Sequence, residues 1–214
     1  MNPLLPAALA LALALPAGAG SVPASPTDAV ARVGVAGYSS RTVCTGFALE
    51  DGTLVTAAHC LPQTPTGMVQ VVFGYDRGES TGRSAAPAQN WTRIPGRDIA
   101  LLCPGGATAS AGQIPTGFPV PSAPISAGDP VEILGYGLPR EHVLQHNTCE
   151  ILGTPDTPDR LVIDCALPRG TSGAPVLRTT PNGYEILGLL FASTGERGLA
   201  ERITPTLVRE ICAP

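Results

Sequence analysis

The chain has 214 residues, enough for one good-sized core or two small ones and too few for an enzyme with several accessory domains. Charged residues make up only 14% while Gly (25) and Pro (23) are abundant, a balance that favours many short elements joined by turns and points to an all-β fold. The net charge is -4 and Lys and Arg do not cluster, which excludes the basic face needed to bind nucleic-acid phosphates.

Aromatic residues are 4% of the chain, so Val, Ile, Leu and Ala must build most of the core, and disulfides are expected to reinforce it. The N-terminus carries an apolar Ala/Leu run from Ala7 to Leu15, then Pro16 and the small residues Ala17, Gly18 and Ala19. This pattern predicts a signal peptide over residues 1–19, although no Lys or Arg precedes the run. The run is too short to span a bilayer and no second candidate follows. The expected destination is therefore outside the cell or the periplasm, with no membrane-spanning segment after signal removal. An even count of six cysteines agrees with export. Residues 20–28 read as a linker or a short pro-segment.

In chain order, Ala29 to Val35 reads as the first strand. Thr42 to Glu50 and Thr53 to Ala58 are apolar-rich runs flanking Asp51-Gly52, a strong hairpin signal that delivers His59 and Cys60 to a strand end. Met68 to Tyr75 predicts a strand, Gly78 to Gly96 a polar surface loop, and Asp98 to Cys103 a short buried strand. Cys103 to Gly128 is rich in Pro, Gly, Ser and Ala and is read as the crossing between halves, which divides the chain into 29–115 and 116–214. Beyond it, strands are predicted at Pro130 to Tyr136, Thr148 to Leu152, Leu161 to Ala166, Pro175 to Arg178, Tyr184 to Phe191 and Leu199 to Ile203. Leu207, Val208 and Ile211 share one face of a helix over Thr206 to Cys212.

Three short motifs carry chemistry: Thr56-Ala57-Ala58-His59-Cys60, Arg97-Asp98-Ile99-Ala100-Leu101, and Gly170-Thr171-Ser172-Gly173-Ala174-Pro175. Singly, each has a bland explanation as a core histidine, a strand-start carboxylate or a glycine turn. In this order they resemble the chymotrypsin-like serine peptidases over roughly Ala29 to the C-terminus. The resemblance implies two six-stranded antiparallel β-barrels with the active site between them and a short C-terminal helix. It implies His59 as general base, Asp98 as its orienting carboxylate, Ser172 as nucleophile, and the N–H groups of Gly170 and Ser172 as an oxyanion hole. A polypeptide substrate, no cofactor and action as a monomer go with it. His142 and His146 lie in a polar stretch and read as solvated, and no His/Cys spacing matches a metal site.

The family pairs Cys44 with Cys60 across the hairpin. Cys149 and Cys165 fall on neighbouring predicted strands and suit a local bond, leaving Cys103 and Cys212, although six cysteines allow about 15 connectivities. Two departures stand out. Thr171 occupies the place where zymogen-activated members carry an Asp that pairs with a freed N-terminus, and in this, as in the Cys149 and Cys165 hairpin, the chain is closer to the bacterial glutamyl-endopeptidase-like branch. The resemblance implies Ala166 at the pocket floor, Leu190, Phe191, Ala192 and Ser193 along the cleft, and Gly198 on the opposite wall. No acid is there for Lys or Arg, and Leu190 replaces the glutamyl branch's His, so small or medium uncharged side chains are expected. Phe191 replaces a serine that supports the triad Asp. That substitution sustains an alternative reading, a weakly active or inactive peptidase-fold protein serving as a binding module or scaffold.

Overall fold

The Asp51-Gly52 turn closes as its residue types require. Gly52 adopts φ +86°, the Leu49 N–H donates to the Thr53 carbonyl at 2.8 Å, and the Asp51 carboxylate accepts the Thr53 N–H at 2.9 Å. The computed structural model describes residues 25–35, 43–107, 109–111, 114–121, 123–154 and 157–212. The signal peptide expected at 1–19, and the linker as far as residue 24, lie outside them.

The first half is an antiparallel sheet built from β1 (Val30–Val35), β2 (Cys44–Ala48), β3 (Leu54–Thr56), β4 (Met68–Phe73), β5 (Gly82–Pro87), β6 (Thr92–Arg93), β7 (Ala100–Leu102) and β8 (Ala109–Ala111). Its order is β6-β7-β3-β2-β1-β4-β5-β8. The second half is a closed barrel of β9 (Pro130–Gly135), β10 (Gln145–Gly153), β11 (Arg160–Ile163), β12 (Pro175–Thr180), β13 (Gly183–Ser193) and β14 (Gly198–Arg202), followed by helix α1 (Pro205–Cys212).

Two expectations are corrected here. Only one of the halves is a closed six-stranded barrel. The other is an eight-stranded sheet whose edge strands, β6 and β8, span two and three residues, and among the described residues no ladder joins them. The polar stretch from Gly78 to Gly96 is not all loop, because β5 and β6 lie inside it. Strand β5 is Gly-Arg-Ser-Ala-Ala-Pro, without one β-branched or aromatic residue, and its ladder with β4 runs in unbroken register from Met68↔Pro87 to Phe73↔Gly82.

Two apolar clusters hold the halves. One fills the closed barrel with Val131, Ile133, Ile151, Leu161, Ile163, Val176 and Leu187. The other lies in the first sheet around Phe47, Phe73, Leu101 and Phe118 and takes in Tyr136, Leu177, Ile186, Leu189 and Val208 of the second half. The outer faces of β12 and β13 therefore pack on the first half, and the two halves meet through apolar surface. Phe118, in the crossing segment, is pinned to the first half by hydrogen bonds from its N–H to the Ala48 carbonyl and from the Glu50 N–H to its own carbonyl, both 3.0 Å. Among the described residues no helix is long and apolar enough to cross a membrane.

All six cysteines are paired, as Cys44–Cys60, Cys103–Cys212 and Cys149–Cys165. Cys103–Cys212 spans 109 residues and ties α1 to the first half. In the chain-entropy account, restricting a loop of ~100 residues stabilises by about 4.7 kcal/mol and one of ~15 residues by about 3 kcal/mol. Replacing Cys103 and Cys212 together by Ala is expected to cost more stability than the same change at Cys149 and Cys165. Urea unfolding followed by the fluorescence of buried Trp91 measures both.

Candidate active site

The register of β3 against β7 brings the first two candidate residues together. Thr56 faces Ala100 in that ladder. Extending it sets Ala58 opposite Asp98, and the Ala58 N–H donates to the Asp98 carbonyl at 3.3 Å. His59 follows on a 3-10 turn, Ala58–Cys60, anchored by the Cys44–Cys60 disulfide. Its backbone N–H donates to Asp98 Oδ1 at 3.0 Å, and its Nδ1 lies 2.6 Å from Oδ2. One residue thus engages both carboxylate oxygens, which fixes the ring and leaves Nε2 as the unengaged nitrogen.

The electrostatics follow from that contact. The hydrogen bond to Asp98, opposed by partial burial and helped by the carboxylate's charge, raises the His59 pKa above its ordinary value of 6.5. Burial pushes the Asp98 carboxyl up, but hydrogen bonds from the His59 ring and backbone, together with the imidazole's charge, outweigh it and leave the pKa lowered.

Ser172 lies on the loop between β11 and β12. Its carbonyl accepts the Thr45 N–H at 2.8 Å, while the Gly173 N–H donates to the Leu190 carbonyl at 2.7 Å and the Ala174 N–H to the Thr171 carbonyl at 2.9 Å. Gly173 has φ +86°, and a Cβ there would sit 1.9 Å from the Thr45 carbonyl oxygen, so no other residue fits. Gly170 has φ +98°. Among the described residues neither the Gly170 nor the Ser172 N–H has an internal acceptor, whereas the N–H groups of Thr171, Gly173 and Ala174 all do. Thr171 is buried. Its hydroxyl donates to the Pro168 carbonyl, and its methyl group covers two glycines, 3.0 Å from a Cβ placed on Gly135 and 3.3 Å from one on Gly137.

His59 and Ser172 line one cavity of about 400 Å³, without a hydrogen bond between their side chains among the described residues. Leu190, Ala192, Ser193 and the cationic Arg169 line it too, and among the described residues no carboxylate does. Ala166 is exposed and lies off the cavity, and Leu167 is the residue on its wall, with its N–H donating to Ser193 Oγ at 3.2 Å. Gly198 stands behind that wall, where a Cβ would meet Leu190 Cδ1 at 3.0 Å and Leu167 Cδ1 at 3.4 Å. Phe191 does not line the cavity; it is partly buried against the core cluster shared by the halves, with the Arg160 guanidinium 5.2 Å from its ring centroid.

The other histidines are elsewhere: His142 Nδ1 lies 2.9 Å from the Tyr75 hydroxyl, and His146 Nε2 lies 2.8 Å from the Glu132 carboxylate. His59 is close to the Cys44 and Cys60 sulfurs, but both belong to the disulfide and neither can supply a thiolate to a metal.

One residue near the site escapes sequence reading. Glu201 is 0% exposed, and its carboxylate accepts from Arg97 Nε at 3.0 Å, from Arg160 Nε at 3.3 Å and from the Asp98 N–H at 3.3 Å. A Glu-Arg pair at a strand end reads as solvated, and only its distant partners reveal otherwise.

Comparison with known families gives a match to the trypsin-like peptidase domain over residues 44–183, a span that holds His59, Asp98 and Ser172. The chain belongs to that family. No curated protein sequence matches it. Among solved structures, this trypsin-like peptidase chain is similar in fold to a thermostable serine protease from an extremophilic microorganism. The identity there is 20%, the coverage 86% of this chain and 94% of that one, and the TM-score 0.65. It is also similar to the serine protease of a human pathogenic astrovirus, with 23% identity, coverage of 84% and 92%, and a TM-score of 0.55.

The raised His59 pKa means that the ring keeps its proton to higher pH than a free imidazole. Its titration, followed by NMR of the ring protons, is expected to have a midpoint above 6.5. Asp98→Asn removes the raising contact while leaving the burial, so the midpoint should fall.

Proposed function

We propose that the protein is an exported serine endopeptidase that hydrolyses peptide bonds through an acyl-enzyme, with His59, Asp98 and Ser172 as its triad. The observation that carries this reading is the 2.6 Å contact of His59 Nδ1 with Asp98 on a cavity shared with Ser172, whose own N–H and that of Gly170 have no internal acceptor among the described residues. His59 Nε2 takes the proton from Ser172 Oγ as the oxygen attacks the carbonyl carbon of the scissile bond. Asp98 holds the ring in the tautomer that leaves Nε2 unprotonated and stabilises the imidazolium as it forms. The two N–H groups receive the negative oxygen of the tetrahedral intermediate, a contribution of about 10² to 10³ in rate for each donor. His59 then gives the proton to the departing amine, and water, activated by the same ring, releases the acyl group. In apo enzymes the serine-to-histidine hydrogen bond is often long and tightens only with substrate bound.

Export is supported by the N-terminal apolar run and by three disulfides, which persist in oxidising compartments. Thr171 and the Cys149–Cys165 bond favour a place near the glutamyl-endopeptidase-like branch. The uncharged wall of Leu167 and Leu190 does not favour that branch's specificity, and small or medium uncharged side chains suit it. The oxyanion loop needs no ion pair with a freed N-terminus, because Thr171 takes the Pro168 carbonyl as partner.

A fluorophosphonate should label the wild-type protein and leave Ser172→Ala unlabelled. An unlabelled wild type with its disulfides intact would favour the binding-module alternative. Profiling against a peptide library should show poor cleavage after Arg, Lys and Glu. A strong preference for any of these would contradict the assignment of the cavity. Activity should rise with pH through the His59 titration, hence with a midpoint above 6.5.

A further inference from the structure

Glu201 carries a cost that its role in packing does not explain. Desolvating a carboxylate costs several kcal/mol, and a buried ion cluster is often no more stabilising than apolar residues of the same size. The neighbouring Ala200 belongs to the core inside the barrel, so the alternation of β14 turns Glu201 outward, toward the first half. There its Oε1 takes the N–H of Asp98 itself and Oε2 takes Arg97 Nε. Arg97 in turn donates to the carbonyls of Arg202 and Asp159, so the Arg97-Asp98 segment of the first half is bolted to the half that carries Ser172. Arg160 completes the cluster. It donates to the same Oε1 and lies over Phe191, the residue that stands where a supporting serine is expected.

We propose that Glu201 is the positioning residue for Asp98, holding the segment that bears the orienting carboxylate through the Asp98 backbone N–H and through Arg97. Glu201 touches neither substrate nor reacting atoms. It acts by fixing where the His59–Asp98 pair sits relative to Ser172, a geometry in which a displacement of about 1 Å can cost ~10²-fold in rate. The assignment rests on the reading of Asp98 as the triad acid.

The test compares wild type with Glu201→Gln, which keeps size and an acceptor but removes the charge. Two quantities are measured: the second-order rate of fluorophosphonate labelling, and kcat and KM per labelled site on a peptide p-nitroanilide with alanine at the cleaved position. The labelling rate and kcat should fall together by roughly 10- to 100-fold, with KM unchanged within about twofold. Lower thermal stability with unchanged kcat per labelled site would reduce the cluster to a structural one and overturn the proposal. If Glu201→Gln does not fold, Arg97→Lys decides, since it keeps the positive charge beside Glu201 but removes the Nε donor to Oε2 and the guanidinium donors to the Asp159 and Arg202 carbonyls. A fall of at least about threefold in both rates is then expected, and unchanged rates overturn the proposal. Wild-type protein that is not labelled at all overturns the triad and this inference together, whereas a labelled wild type with unaffected variants sinks this inference only.

Discussion

The hydrogen bond from the Thr45 N–H to the Ser172 carbonyl, 2.8 Å long, is the contact on which the geometry of the site depends. Ser172 belongs to the closed barrel, whereas His59 and Asp98 belong to the open sheet, and Thr45 sits one residue past the cysteine that anchors the histidine turn. Thr45 is fully buried and uses every polar atom. Its hydroxyl accepts the Tyr136 N–H at 2.9 Å, and its carbonyl accepts Thr56 Oγ1 at 2.8 Å. One residue therefore references the Ser172 loop, the end of β9 and the strand leading to His59 to the same point. Gly173 is required by this arrangement, because the loop can come so near the Thr45 carbonyl only without a side chain.

Two clamps hold the seam, one at Ser172 and one at Asp98. On the serine side, the Thr45 contact and the Thr171 hydroxyl give the loop its shape from neutral groups, which lose little on burial once hydrogen-bonded. On the aspartate side the clamp is ionic, with Glu201 between two arginines. The difference matters energetically. A neutral threonine clamp is insensitive to pH, while an ionic clamp around a buried carboxylate is strong only while every member is present.

Much of this was legible in the sequence, and the exceptions share a cause. His59, Asp98 and Ser172 were readable because each lies in a short motif with its own strand or turn context, and the Asp51-Gly52 turn located the hairpin that leads to His59. Strands β2, β3 and β13 announced themselves through Val, Ile, Leu and Phe. Strand β5 did not, since Gly, Arg, Ser and Ala have no local reason to extend, and its ladder to β4 is a tertiary fact. The closure of only one half depends likewise on the pairing of two very short edges. Glu201 was unreadable because its burial is decided by Arg97 and Arg160, which no local pattern connects to it. At the cavity wall, counting along the chain placed Ala166, whereas the turn of the backbone there exposes Ala166 and presents Leu167.

The Cys103–Cys212 bond closes a covalent ring that contains the crossing segment and the whole second barrel. A peptide bond cut anywhere inside that ring leaves two pieces that remain joined, one bearing His59 and Asp98 with the first sheet, and both still packed through the apolar seam. Nicking of the Pro- and Gly-rich crossing thus produces a two-chain molecule, not a separated pair of halves. The ring makes chain continuity between the halves dispensable once folding is complete, because cleavage and reduction must both occur before the halves lose their covalent link.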